Sequence, residues 1–277
     1  MEVGRTMAHA PTGTDLGRLK GGRLFSARSL SESVQDPGFL RAFLSPLAFG
    51  DMRFYLDDFE GDTIDLDKWI VDGDSGTTNF AMTATNTVAR STISANTAAD
   101  DNEFVTIYGH CNFSGDKNAG LAVRWMINDV TDVCFEIGFS DPLTDYTLPA
   151  INDIDTPSIT NGATDVAVIV RDTDQSLTTV ALVGANAGTV AKSNLGTWAP
   201  TASEWYTTII QLDGDDIFTA TFNTTTPQSP ILQSGTEKSL VAGIDGSVLV
   251  EPRFTFGNRT TDGYLPEIDF IALWADR

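Results

Sequence analysis

EWYTTIIQLDGDDIFTATFN, residues 204–223, is the stretch whose reading decides the fold class. Two runs rich in Thr, Ile and aromatic residues flank Asp213-Gly214-Asp215-Asp216, a cluster of residues that tolerate tight-turn backbone. Alternation at period 2 on both sides makes this an antiparallel hairpin, because successive strand side chains point to opposite faces. Tyr206, Ile210 and Leu212 are expected to face inward beside Phe218 and Phe222.

The same alternation recurs outward from the hairpin. In LAVRWMIN, Leu121, Val123, Trp125 and Ile127 share a face, and in VCFEIGF so do Val133, Phe135, Ile137 and Phe139. The terminal PEIDFIALWADR places Ile268, Phe270 and Trp274 on one face and reads as a closing strand. Strands are expected near 52–59, 79–83, 104–108, 118–128, 132–140, 165–171, 178–184, 204–213, 216–223, 247–256 and 266–275, separated by Gly, Asn, Asp and Thr clusters. Helical periodicity is nearly absent after residue 50. The expected class is all-β: two packed antiparallel sheets, a sandwich of jelly-roll type, over residues 52–277.

Residues 1–51 differ in chemistry. Within 1–53 there are seven Lys/Arg against five acids; the remaining residues carry ten Lys/Arg against thirty-three acids, giving a net charge of -21 for the 277-residue chain. The segment is rich in Gly, Ser and Arg and has no sustained apolar period, apart from one short helix expected around 38–44. It reads as an extended basic arm that gains order on a partner. The strongly acidic remainder argues against nucleic acid and anionic membranes as partners. Two cysteines are too few to staple a domain of this size. No secretory signal or membrane span is legible, so a soluble protein made in the cytoplasm is expected.

DDFEGDTIDLDKWIV (57–71), EWYTTIIQLDGDDIFTATFN and EIDFIALWADR, in that order, resemble the concanavalin-like (LamG-like) jelly roll of laminarinase-type glycoside hydrolases, lectin modules and some phage virion proteins. The first is similar to an opening D-x-F-x-G-x-x-(I/L)-(D/N)-x-x-x-W and the last to a closing (V/I)-D-(Y/F)-(V/I)-x-(L/V)-(W/Y) strand. FEIGFSD, DIDTP (153–157) and IALWADR are similar to segments of LamG-like proteins of tailed phages. The resemblance implies a capsid decoration or cement protein on the outer surface of a phage head. Its partner would be a major capsid protein, its state a trimer or dimer. The arm would bind through Arg18, Lys20, Arg23, Phe25, Arg28, Phe39 and Phe43. The alternative is a carbohydrate-binding module that adheres to host glycan.

For catalysis, a laminarinase-type site needs E-x-D-x-(x)-E on one strand, with two carboxyl groups about 5–5.5 Å apart for a retaining mechanism. FEIGFSD has Gly138 where the central acid would stand, and PEIDFIALW supplies only Glu267 and Asp269; no enzyme is expected. DGDSG (72–76) echoes the surroundings of a protease serine, but the histidines available as a base are His9 and His110. It reads as a turn. His110 and Cys111 lack a second ligand pair at metal spacing. The resemblance implies a structural calcium between the opening segment, near Glu60 or Gly61, and Asp269. Sugar recognition calls for exposed aromatics beside polar groups. Trp198, Trp205 and Tyr264 are the candidates, whereas Trp125 and Trp274 read as core and Trp69 as the cover of a sheet edge.

Overall fold

The computed structural model describes residues 52–59, 63–83, 92–97, 101–110, 112–176, 178–225, 231–232, 236–261 and 263–277. The seven arm residues named above, the helix expected at 38–44, Glu60, Gly61 and Cys111 lie outside the described residues.

The strands, in chain order, are β1 (Met52–Asp57), β2 (Trp69–Gly73), β3 (Thr78–Thr83), β4 (Thr92–Asn96), β5 (Phe104–Gly109), β6 (Gly120–Ile127), β7 (Val133–Ser140), β8 (Val166–Asp172), β9 (Val180–Asn186), β10 (Thr189–Asn194), β11 (Tyr206–Asp213), β12 (Asp216–Asn223), β13 (Ile231–Leu232), β14 (Lys238–Leu240), β15 (Glu251–Asn258) and β16 (Pro266–Asp276). One nine-stranded sheet runs β13-β12-β11-β6-β16-β4-β3, with β1 also on β16 and β14 also on β12; a seven-stranded sheet runs β10-β9-β8-β7-β15-β5-β2. Every pairing is antiparallel. The expected two-sheet jelly roll is what the chain forms. Strands β2, β4, β10, β13 and β14 went unread in the sequence. They are short, and β10 (TVAKSN) is exposed or half-buried throughout, so it carries no apolar alternation.

The core lies between the sheets. Leu121, Val123, Trp125 and Ile127 meet Val133, Phe135, Ile137 and Phe139 there, as the alternation predicts. Trp125 is its centre, with ring centroids 5.0 Å from Phe135 and 5.6 Å from Tyr206. Its indole N–H donates to Thr208 Oγ1 at 3.0 Å, so burial leaves no orphan donor. Each such ring contributes about 1.5–3 kcal/mol by leaving water.

Two expected facings are corrected by register. In the hairpin Asp213 pairs with Asp216 and Leu212 with Ile217. Residues directly opposite share a face, so Ile217 joins Leu212 in the core while Phe218 and Phe222 point to the outer face. In β16 the register shifts between Ile268 and Phe270. This bulge inserts one residue, leaving Ile268 in the core and turning Phe270 and Trp274 outward.

The opening segment acts as a latch. Asp57 Oδ2 accepts from Tyr55 Oη (2.7 Å) and Trp69 Nε1 (2.9 Å), and Oδ1 accepts from the Phe59 amide (3.0 Å). Phe59 has φ 52, an uncommon state for a bulky residue, which this carboxylate supports. Phe59 and Trp69 are both buried in the core; Trp69 fills it from edge strand β2.

Candidate functional site

The seven-stranded sheet has an unusually polar outer face at its centre. Register places Glu136 and Gly138 of β7 beside Thr255 and Arg253 of β15, and Arg253 beside Tyr108 of β5, which in turn pairs with Ile70 of β2. Alternation predicts outward side chains here, yet Glu136 and Arg253 are fully buried. Their cover is a flap, residues 141–164, carrying Leu143, Ala150, Ile151 and Ile154 onto Val166, Val168 and Val170 of β8 and Ala181 and Val183 of β9.

The flap is tied at its neck and pinned at its middle. At the neck, Asp141 accepts from the amide of Thr164 (3.0 Å) and its hydroxyl (2.7 Å), and Asn161 Oδ1 accepts from the Asp145 amide at 2.8 Å. At the middle, the two Glu136 oxygens accept from the amides of Ala150 (2.8 Å) and Ile151 (2.7 Å), and Arg253 donates to the Leu148 carbonyl. Burial raises the Glu136 pKa; the guanidinium of Arg253, 3.9 Å away, and the two amides pull it back. Gly138 is required by packing: a Cβ there would lie 2.1 Å from the Ala167 carbonyl oxygen. The middle acid of the hydrolase strand pattern therefore has no room at this position.

Beside the flap the sheet presents a second group. Tyr146, from the flap, stacks on Tyr108 with centroids 3.9 Å apart and planes 10° from parallel. Tyr146 Oη donates to Glu251 Oε2 at 3.2 Å. Glu251 is 3% exposed, and burial pushes its pKa up to about 7. Its Oε1 and the Nη1 of Arg253 have no hydrogen-bond partner among the described residues, a matched acceptor and donor. Half-buried Tyr146 and Asp72 and exposed Ile70 and Leu148 border the group.

The residues expected to bind sugar are dispersed. Trp198 and Tyr264 are 5% and 3% exposed and belong to the core; hydrophobic burial claims them, and they form no surface platform. Trp205 is half-buried on the other sheet, with the Arg124 guanidinium 4.4 Å over its ring. Arg124 also reaches Asp269 Oδ2 at 2.5 Å. That carboxylate has its counter-charge in Arg124; no group of three His, Cys, Asp or Glu suited to a metal occurs among the described residues, and the carbonyls near Glu60 or Gly61 expected to share a calcium with Asp269 lie outside them. Ser75 lies in an exposed turn closed by Thr77 N to Asp74 O at 3.1 Å. It follows the Gly73–Val105 end of the β2–β5 ladder, whereas His110 follows the opposite, Trp69–Gly109 end and meets the Asp67 carbonyl at 3.0 Å. Sequence reasoning missed Tyr108, Tyr146, Glu251 and Arg253. Glu136 enters the sequence reading only within FEIGFSD, as an acid of the hydrolase strand pattern; its pairing across to β15 is a matter of register.

No family model matches the chain, and no curated protein matches it. Solved structures do. A Shewanella oneidensis MR-1 protein of unknown function is 11% identical with TM-score 0.55, over 82% of this chain and 87% of that one. The likeness is one of fold. A Lotus tetragonolobus seed lectin is 10% identical, TM-score 0.49, over 81% and 99%. The catalytic domain of an endo-1,3-beta-glucanase (laminarinase) from Thermotoga petrophila RKU-1 is 11% identical, TM-score 0.44, over 82% and 99%. At such identities the likeness establishes the fold alone. The expectation that the chain is no enzyme is corrected: glycoside hydrolases are among the proteins it matches. Nothing in these matches points to a phage virion protein.

Proposed function

We propose that the chain is a carbohydrate-binding jelly-roll module whose ligand seats on the outer face of the seven-stranded sheet at Tyr146, Tyr108, Glu251 and Arg253. One observation carries the reading: the ring of half-buried Tyr146 stacks on buried Tyr108, and buried Glu251 and Arg253 behind the pair fix it, the first accepting from Tyr146 Oη and the second lying over its ring. Aromatic faces receive the apolar C–H face of a pyranose, and the phenol and backbone groups at the flap's edge suit its hydroxyls. A few polar groups beside apolar walls are what orients a small ligand. Capsid decoration through the arm rests on residues outside the described part and draws no support from the comparisons.

The test is a glycan array followed by titration of the best binder. Saturable binding is expected, weakened about tenfold, or ~1.4 kcal/mol, by Tyr146→Ala, and unchanged by Trp205→Ala. Failure of every glycan to saturate, or an unaffected Tyr146→Ala, overturns the reading. The same incubation, read for new reducing ends, reports whether a bound glycan is also cleaved.

A further inference from the structure

The Tyr146–Tyr108 pair lies in a negative field, and the cations of its own sheet are turned to other work. The strands of the seven-stranded sheet carry Arg171, Lys192 and Arg253. Register sets Arg171 opposite Phe135 and Val180, both core residues, and so on the inward side. Arg253 is fully buried, 3.9 Å from Glu136, and donates to the Leu148 carbonyl. Lys192, on the far edge strand β10, donates to the carbonyls of Ile154 (2.6 Å) and Asp155 (2.9 Å). Just before β2, Lys68 pairs with Asp65 at 2.7 Å and lies over the Tyr55 ring.

The acids beside the pair are accessible and have no ion pair among the described residues. Half-buried Asp72 stands opposite Thr106, and Ile70 opposite Tyr108. Asp72 and Tyr108 are thus diagonal neighbours on one face, a separation of about 7–8 Å. Exposed Asp145 immediately precedes Tyr146; the Thr147 hydroxyl (2.7 Å) and amide (2.9 Å) hold its carboxyl below the ordinary range. The Tyr108 phenol registers this field: burial raises its pKa, and Asp72 and Glu251 raise it further. An ammonium is drawn to such a field and to the face of a tyrosine ring, whereas a carboxylate or sulfate is repelled. Building on the carbohydrate reading above, we propose that the glycan bound here carries primary ammonium groups: a 2-amino-sugar chain whose pyranose lies on Tyr146 with its ammonium toward Asp72.

Calorimetric titration of the full chain with three oligosaccharides of equal length tests this: tetraglucosamine, its N-acetylated counterpart and tetragalacturonate, at a mildly acidic pH where the amines are charged. Tetraglucosamine should bind about tenfold tighter than the N-acetylated chain, with tetragalacturonate weakest, and added salt should narrow the gap. Asp72→Asn should cut the tenfold ratio to about twofold, a change in preference that a merely structural role would not produce. Tyr146→Ala should weaken tetraglucosamine about tenfold. A ratio near one in the parent, or one that Asp72→Asn leaves at tenfold, overturns the proposal. So does tetraglucosamine binding that survives Tyr146→Ala, which would be attraction to the surface of a chain of net charge -21. Glycans that bind without regard to charge and are lost in Tyr146→Ala remove the amino-sugar preference and leave the carbohydrate site standing; if no glycan binds, both fall.

Discussion

Glu251 shows how one buried carboxyl converts position into pH dependence. Its folded pKa, about 7, stands above the ordinary 4.5 because burial disfavours the charged form; Asp141 adds to the rise, while the Tyr146 hydrogen bond and Arg253 oppose it. An acid with a raised folded pKa binds more protons folded than unfolded between those values. Its contribution to stability is therefore fully present below 4.5 and lost as pH climbs through about 7. The loss is on the order of 3 kcal/mol. Glu251→Gln should abolish that share of the decline, leaving the variant more stable than the parent at pH 8 in urea melts; parallel pH profiles refute this. At Gly138 the clash with the Ala167 carbonyl is with backbone and cannot be relieved by a rotamer, so Gly138→Ala should cost about 3 kcal/mol in the same melts.

The flap is the element on which the site depends. Its middle is held by Glu136, whose oxygens take two backbone amides while Arg253 lies against them. Glu136→Ala removes both acceptors and leaves a buried guanidinium without its counter-charge, a loss of roughly 3–5 kcal/mol. Hydrogen exchange should locate the effect: the Ala150 and Ile151 amides lose protection while β6 and β11 keep theirs. Uniform loss across the sheets would mean that the flap is part of one cooperative unit. Because Tyr146 belongs to the flap and Tyr108 to β5, a loosened flap should also weaken glycan binding.

At the scale of the whole molecule, a net charge of -21 repels itself in the compact state. Raising ionic strength from about 10 mM to 0.15 M shortens the screening length from ~30 to ~8 Å. A gain of ~1 kcal/mol follows, which at this size is about 2–4 °C in Tm. A Tm that falls with salt would show that attractive pairs such as Arg259–Asp172, at 2.6 Å, outweigh the repulsion. The long strands β6, β7, β11 and β12 were legible because each carries its own alternation. The short strands were not, since their pairing partner, and not their composition, makes them strands.

Residues 204–223 and the runs around Trp125 and Phe135 determined by themselves that the chain is an antiparallel sandwich, because period 2 is a local property of the backbone. Which face each aromatic occupies was decided by tertiary structure: a two-residue turn sent Phe218 and Phe222 outward, and the bulge after Ile268 turned Trp274 with them. The candidate site belongs wholly to this second kind. Tyr108, Tyr146, Glu251 and Arg253 come from two strands and a flap far apart in the chain, and only cross-strand register and the burial of Glu136 bring their side chains together.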